Sequence, residues 1–94
     1  MSFLFNFLIK KKGIYSRKGV VPDKETAIKI AEAVWIPMFG EEYVYFRKPY
    51  KFYYIPILRY WIISGTLPPN LFGGVQQIVI KKGNGKILFI YYNA

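Results

Sequence analysis

The chain lacks the two side chains that most often carry chemistry in small proteins. It has neither cysteine nor histidine, so thiol nucleophiles, thiolate metal sites, disulfides and imidazole bases are excluded. Ser16 and Ser64 therefore have no histidine partner. The five carboxylates lie between Asp23 and Glu42, where helix capping and a solvent-exposed helix face explain most of them, and no pair is indicated that would converge in a cleft. We expect no enzymatic activity, no metal and no cofactor.

The glycine-containing segments of the sequence do not indicate a nucleotide-binding site. Residues 73–74 and 83–85 contain the glycines in question, but neither segment lies between a strand and the start of a helix, as a nucleotide fingerprint requires. Both are typical of turns.

Basic and acidic residues are separated along the sequence. Residues 1–22 carry five basic groups and no acid, residues 23–42 carry two lysines against five acids, and residues 43–94 carry seven basic groups and no acid, for a net charge of +9. This excess predicts a partner with a negative surface, which could be an acidic protein, nucleic acid or an anionic membrane. The 9 tyrosines, 8 phenylalanines and 2 tryptophans either fill the core or stack on nucleic-acid bases.

The best candidate surface for a partner is the aromatic and basic segment 43–54, together with a basic residue and a loop further along the chain. Tyrosine and arginine are enriched at the hot spots of protein interfaces. The predicted partner contacts are Arg47, Lys48, Lys51, Arg59, Asn70, Leu71 and Phe72.

One amphipathic helix, between Pro22 and Gly40, is the element that must organise the rest. Asp23 is a typical N-cap, and Gly40 is typical of the residue that ends a helix. The residues expected on the apolar face recur at helical spacing: Ala27, Ile28, Ala31, Val34, Trp35, Met38 and Phe39. Everything after this helix is predicted to be strand or loop, so the helix must cover one face of a sheet.

The strand-forming segments are 43–54 (interrupted by Pro49), 59–66, 75–81 and 86–92. Residues 67–74 form a Pro- and Gly-rich loop, and Asn84-Gly85 predicts a type I′ turn in the hairpin at 82–85. The predicted fold class is α+β, with one long N-terminal amphipathic helix packed on a curved antiparallel meander of about four strands.

Residues 1–18 are predicted to be an apolar and basic extension with a linker, and residues 19–94 a single domain. The apolar run Met1–Ile9 precedes Lys10–Lys12, which reverses the order found in signal peptides, and the run is too short to cross a bilayer. We expect it to dock on the domain, with an interfacial membrane anchor as the alternative.

Three segments together resemble a known family. They are VPDKETAIKIAEAVWIPMFG (21–40), WIISGTLP (61–68) and GGVQQIVIKKGNGKIL (73–88), and they are similar to bacterial immunity proteins with a nuclear transport factor 2-like, or cystatin-like, fold over about residues 19–90. The resemblance implies a helix on a curved sheet, and a cytoplasmic protein that binds and blocks a polymorphic secreted toxin encoded beside it, without catalysis or cofactor. The resemblance assigns a structural role only, and no contact role, to Trp35, Trp61, Gly65, Gly73 and Gly74.

Residues 43–60 and 1–12 depart from the family pattern and are plausible places for partner-specific contacts. Our first hypothesis is an immunity protein whose toxin presents an acidic surface. The alternative is a basic module that binds nucleic acid or another anionic surface. Exposed strand edges would also allow a homodimer.

Overall fold

The structure, a computed structural model, describes residues 19–92. The predicted extension 1–18, including the docking or anchoring of Met1–Ile9, lies outside the described residues. Two helices precede four strands: α1 (Lys24–Phe39), α2 (Glu41–Phe46), β1 (Lys51–Ile55), β2 (Tyr60–Ser64), β3 (Gln76–Lys81) and β4 (Ile87–Tyr92). The strands form one antiparallel sheet in the order β1-β2-β3-β4, so the predicted α+β class with a four-stranded meander is confirmed.

The ends of α1 lie where the sequence places them. The side chain of Asp23 accepts a hydrogen bond of 2.9 Å from the backbone N–H of Thr26, which satisfies one of the free donors of the first turn and lowers the pKa of Asp23. Gly40 ends the helix with a φ of 90° and donates its N–H to the carbonyl of Ile36. A residue with a Cβ would be strained at that φ.

The apolar face of α1 is narrower than its hydrophobic residues predict. Ala27, Ala31 and Trp35 are fully buried, and Ile28 is only half-buried. Met38 is 53% exposed, so its predicted place on the packed face is wrong. The middle of α1 packs on the central strands β2 and β3, and in its last turn Phe39 contacts Tyr43 of α2 and Tyr92 of β4 while Met38 stays exposed.

The second helix, α2, corrects the expectation that only strands follow Gly40. Tyr43 and Val44 favour strands by propensity, but Val44 is buried in the core and Tyr43 packs its ring 5.3 Å from that of Phe39. Glu41 and Glu42 lie in the first turn of α2, where carboxylates are favourable. Tertiary packing therefore overrides strand propensity here, and residues 43–46 are helical.

One face of the sheet, here called the inner face, packs on the helices. In register across the four strands it presents Phe52, Ile63, Ile78 and Ile90. The buried core consists of Val21, Ala27, Ala31, Trp35, Val44, Ile63, Ile78 and Ile80. The chain enters this core beside the β3–β4 turn, where Val21 donates to the carbonyl of Lys82 and accepts from the indole of Trp61.

The β3–β4 turn differs from the predicted type I′ geometry. That geometry needs positive φ at both central residues, but within 82–85 only Gly85 has one, at 74°. The loop is closed by Lys81 donating to the carbonyl of Lys86, and the side chain of Asn84 accepts from the backbone N–H of Lys86. Asn84 therefore stabilises the turn through its side-chain oxygen rather than through a left-handed backbone. The pairing of β3 with β4 also has a register shift between Val79 and Ile80, next to this turn.

Candidate protein-interaction surfaces

Arg47, the first predicted contact residue, is half-buried and has several partners within the fold. Its Nε donates to the carbonyl of Gly74 at 2.8 Å, and its Nη1 donates to the carbonyl of Tyr43 at 3.1 Å. The guanidinium also lies 3.5 Å above the ring of Tyr43. Its backbone carbonyl accepts from Thr66. These contacts connect α2 to the 67–74 loop, so Arg47 has a structural role in the fold.

Lys48 belongs to a small polar cluster between α1 and β1. Its Nζ lies 3.5 Å from the Oε2 of Glu32, and the hydroxyl of Tyr50 donates to the same oxygen at 2.6 Å. Burial, followed by the hydrogen bond to Glu32, raises the pKa of Tyr50. The side chain of Lys48 is 52% exposed, so its charge is partly offset by Glu32 but remains accessible to a partner.

A shallow groove of about 270 Å³ opens beside this cluster. It is lined by Lys24, Ile28, Lys48, Pro49, Tyr50 and Phe52. The Nζ of Lys24 lies 5.0 Å from the centre of the Phe52 ring. The groove could receive one acidic or aromatic side chain, although Glu32 lies at its Lys48 side.

The seven predicted contacts divide between the two ends of the sheet. Lys51 pairs with Ser64 at one end, near the loop that contains Asn70, Leu71 and Phe72. These loop residues are exposed, Phe72 completely so. Arg59 lies at the other end, in the β1–β2 turn, where its carbonyl accepts from Lys82. The structure therefore does not gather all seven into one surface.

The sequence interpretation missed the face of the sheet opposite the helices, here called the outer face. Its central row runs across all four strands and contains Tyr53, Ile62, Val79 and Phe89. Tyr53 is 56% exposed and Phe89 is 68% exposed, because the described helices pack on the inner face. A depression of about 200 Å³ lies beside Phe89.

Basic residues lie in the two rows that flank this central row, one towards each end of the strands. At one end, Lys51, Ser64, Gln77 and Tyr91 are aligned across the strands, and Tyr91 is 54% exposed. At the other end, Tyr60 is opposite Lys81, which is exposed. The outer face thus combines an apolar, aromatic centre with lysines at its margins. The sequence contains a signal for this face. In KFYYI (51–55) and ILFIYY (87–92), apolar or aromatic residues occur at both sets of alternating positions, so both faces of these strands carry them. One helix can cover only one of the two faces.

Two properties of the described residues bear on the kind of site. Within residues 19–92, no three acidic side chains come close enough together to hold a metal ion. In the same range, neither helix has the length and hydrophobicity needed to cross a membrane.

Comparison with known proteins places this fold in a family. The chain matches the family model described as "NTF2 fold immunity protein" over residues 26–94, a range that includes most of α1 and every later element. It is also 29% identical over 80 residues to "Uncharacterized protein YhhH" of Escherichia coli strain K12, which covers 84% of this chain and 61% of that protein. The chain thus spans about three-fifths of that relative's length. No solved structure matches. From the family match, the chain belongs to the NTF2 fold immunity protein family.

Proposed function

We propose that this protein binds a cognate secreted bacterial toxin directly and neutralises it. The family match over residues 26–94 is the observation that carries the proposal. An immunity protein of this kind works by occupying a surface that the toxin needs, so it requires a stable scaffold and an exposed binding surface rather than a catalytic centre. The proposal includes a cytoplasmic location, where the protein would meet an incoming toxin.

The charge distribution supports an acidic partner. From residue 43 onward the chain carries seven basic groups and no acid. Complementary charge mainly accelerates association and excludes wrong partners, while the apolar centre of an interface supplies most of the affinity. The toxin surface that best fits is therefore negative around an apolar area. A toxin that grips nucleic acid through a basic groove would be repelled at that groove.

Co-expression tests the proposal. The proposal predicts a toxin gene adjacent to this gene; that gene is expressed in a sensitive host with and without this protein, and survival and co-purification are scored. We expect the toxin alone to kill, and the full chain to restore growth and to co-purify with the toxin. Failure of a folded protein to do either would contradict the proposal.

A second candidate function, binding to nucleic acid, rests on the exposed rings of the outer face. Tyr53, Phe89 and Tyr91 are exposed, and Lys51 lies in the same row as Tyr91. Single-strand binders combine stacking rings with a basic surface in this way. A shift of labelled single-stranded DNA at physiological salt that is lost in Phe89→Ala would favour this candidate. No retention on heparin and no shift would exclude it.

A further inference from the structure

We infer that the outer face of the sheet is the surface that receives the toxin, and that the complementary toxin surface is an apolar area flanked by carboxylates. This inference rests on the proposed function and specifies where the protein carries it out. It keeps the β1 part of the segment 43–54, which the sequence favours as the best candidate surface, and gives the loop at Asn70–Phe72 no main contact.

The first argument is the composition of the central row. Tyr53, Ile62, Val79 and Phe89 lie side by side across the full width of the sheet. Large aromatic side chains at the two edge strands are more than half exposed, while the two aliphatic side chains between them are half-buried. Antiparallel sheets commonly present a polar face to water. A row of this kind instead resembles the apolar centre of a protein interface, where aromatic anchors contribute most of the affinity.

The second argument is the position of the charges. All five carboxylates of the chain lie in residues 23–42, in α1, its cap and the first turn of α2, and the helices pack on the inner face. No strand carries a carboxylate, and the outer face has Lys51 and Lys81 in the two rows that flank its central row, one on each side. An acidic partner is therefore attracted more strongly to the sheet side of the molecule than to the helix side, whose five acids are nearly balanced by four basic groups.

The same charges argue against a second copy of this chain as the occupant. Two copies joined through their outer faces would bring Lys51 and Lys81 of one protomer against the lysines of the other, with no carboxylate on either sheet to compensate. Like charges placed opposite each other across an interface are unfavourable. A toxin with carboxylates around an apolar area meets no such repulsion.

The experiment compares the same substitution at two exposed phenylalanines. Phe89→Glu places a carboxylate in the central row, and Phe72→Glu places one in the exposed loop; the two side chains are 68% and 103% exposed. We measure the Kd of each full-length variant for the purified cognate toxin. Phe89→Glu is expected to raise the Kd at least roughly 30-fold, the loss typical of an interface hot spot. Phe72→Glu should stay within about twofold of the wild type.

Tyr53→Glu, at the other end of the row, provides a second variant in case Phe89→Glu does not fold, and it should raise the Kd by a similar factor. Circular dichroism and thermal unfolding confirm that each variant is folded. If the wild type binds and neither sheet variant weakens binding, the inference is wrong while the proposed function stands. If the wild type itself does not bind, both fail.

Two outcomes with the isolated protein would also overturn the inference. If the wild type is a dimer that Phe89→Glu converts to a monomer, the outer face is occupied by a second copy. If Phe89→Glu and Tyr53→Glu both strongly lower the unfolding temperature of a monomeric wild type, while Phe72→Glu does not, another part of the same chain covers the face. A wild type that stays monomeric, and variants as stable as the wild type, are the results expected.

Discussion

At the residue scale, Gln76 places an amide inside the core. Its side chain is fully buried on the inner face, and among the described residues neither its nitrogen nor its oxygen has a hydrogen-bond partner. The amide lies against Gly65, where an added Cβ would come within 2.6 Å of the Gln76 Oε1. Burying an amide without partners costs about 1–3 kcal/mol. Gln76 and Gly65 are thus a matched pair, one filling the space that the other leaves.

Replacing Gln76 by methionine should stabilise the protein. Methionine has a similar length and adapts to irregular space, and it removes two unpaired polar atoms. We expect Gln76→Met to raise the free energy of unfolding by about 1 kcal/mol, measured by urea denaturation. Gly65→Ala is the converse variant and should destabilise, because the new methyl group meets the amide. A loss of stability in Gln76→Met would mean that the amide is satisfied by a partner such as a bound water.

The hydrogen bond between Tyr50 and Glu32 predicts a pH dependence. Burial, with the hydrogen bond and the charge of Glu32, raises the pKa of Tyr50 above its ordinary value of 10.0. The neutral hydroxyl is therefore favoured in the folded state. This stabilisation is complete below pH 10 and is lost as the pH rises further, because the unfolded chain then releases the Tyr50 proton and the folded protein does not.

Comparison of the wild type with Tyr50→Phe tests this dependence. Chemical denaturation at several pH values between 8 and 11 should show the wild type losing stability more steeply above about pH 10 than the variant, which has no proton to release at this position. Tyr53→Phe removes an exposed hydroxyl of the outer face and controls for the loss of one tyrosine. Parallel curves for the wild type and Tyr50→Phe would show that burial and the hydrogen bond to Glu32 do not raise the pKa of Tyr50.

At the scale of elements, Arg47 connects α2 to the loop that precedes β3. Its guanidinium donates hydrogen bonds to the backbone carbonyls of Gly74 and Tyr43 and also stacks on the Tyr43 ring. Lysine cannot reproduce this planar, forked geometry. We expect Arg47→Lys to lower the free energy of unfolding by about 1–2 kcal/mol and to increase amide hydrogen exchange in residues 66–74. Lys48→Ala, next to it in sequence and more exposed, should leave that exchange unchanged. Equal exchange in the Arg47 variant would show that the loop is held by other contacts.

The elements also show where sequence reasoning succeeds and where it does not. Local signals identified α1, because its N-cap Asp23 and the glycine that ends it act through their own backbone neighbours. They identified the strands and the 67–74 loop for the same reason. Helix α2 was missed because its residues have strand propensity, and only the contacts of Tyr43 and Val44 with the rest of the core favour a helix.

The candidate surface was harder to predict than the elements. Arg47 has the residue type of a contact, but its Nε and Nη1 donate within the fold, which no local pattern reveals. The outer face depends on which strands are neighbours, since Tyr53 and Phe89 are far apart in sequence and share a row only through the register of the sheet. Both facts follow from long-range pairing rather than from local composition.

At the scale of the whole molecule, the two layers carry opposite charge. Residues 23–50, which include both helices with Arg47 and Lys48 beside them, hold four basic groups and five acids, a net charge of −1, whereas residues 51–92, which form the sheet and its turns, hold five basic groups and no acid. A field of this kind orients an approaching charged partner before contact. For an immunity protein it means that an acidic toxin surface would meet the sheet first. Orientation of the encounter, rather than tighter final contacts, is the expected contribution of these lysines.

Charge reversal on the two layers separates this effect from a simple change in net charge. Lys51→Glu alters the outer face, and Lys29→Glu makes the same change in net charge on the exposed side of α1. Stopped-flow measurements with the cognate toxin should show Lys51→Glu lowering the association rate constant about tenfold at low salt, with a smaller effect on dissociation. Raising the ionic strength should shrink the difference from the wild type, because screening removes long-range attraction. Lys29→Glu should change the rate much less. If both variants slow association equally, net charge alone governs the encounter, and the sheet side has no special part in orienting the toxin.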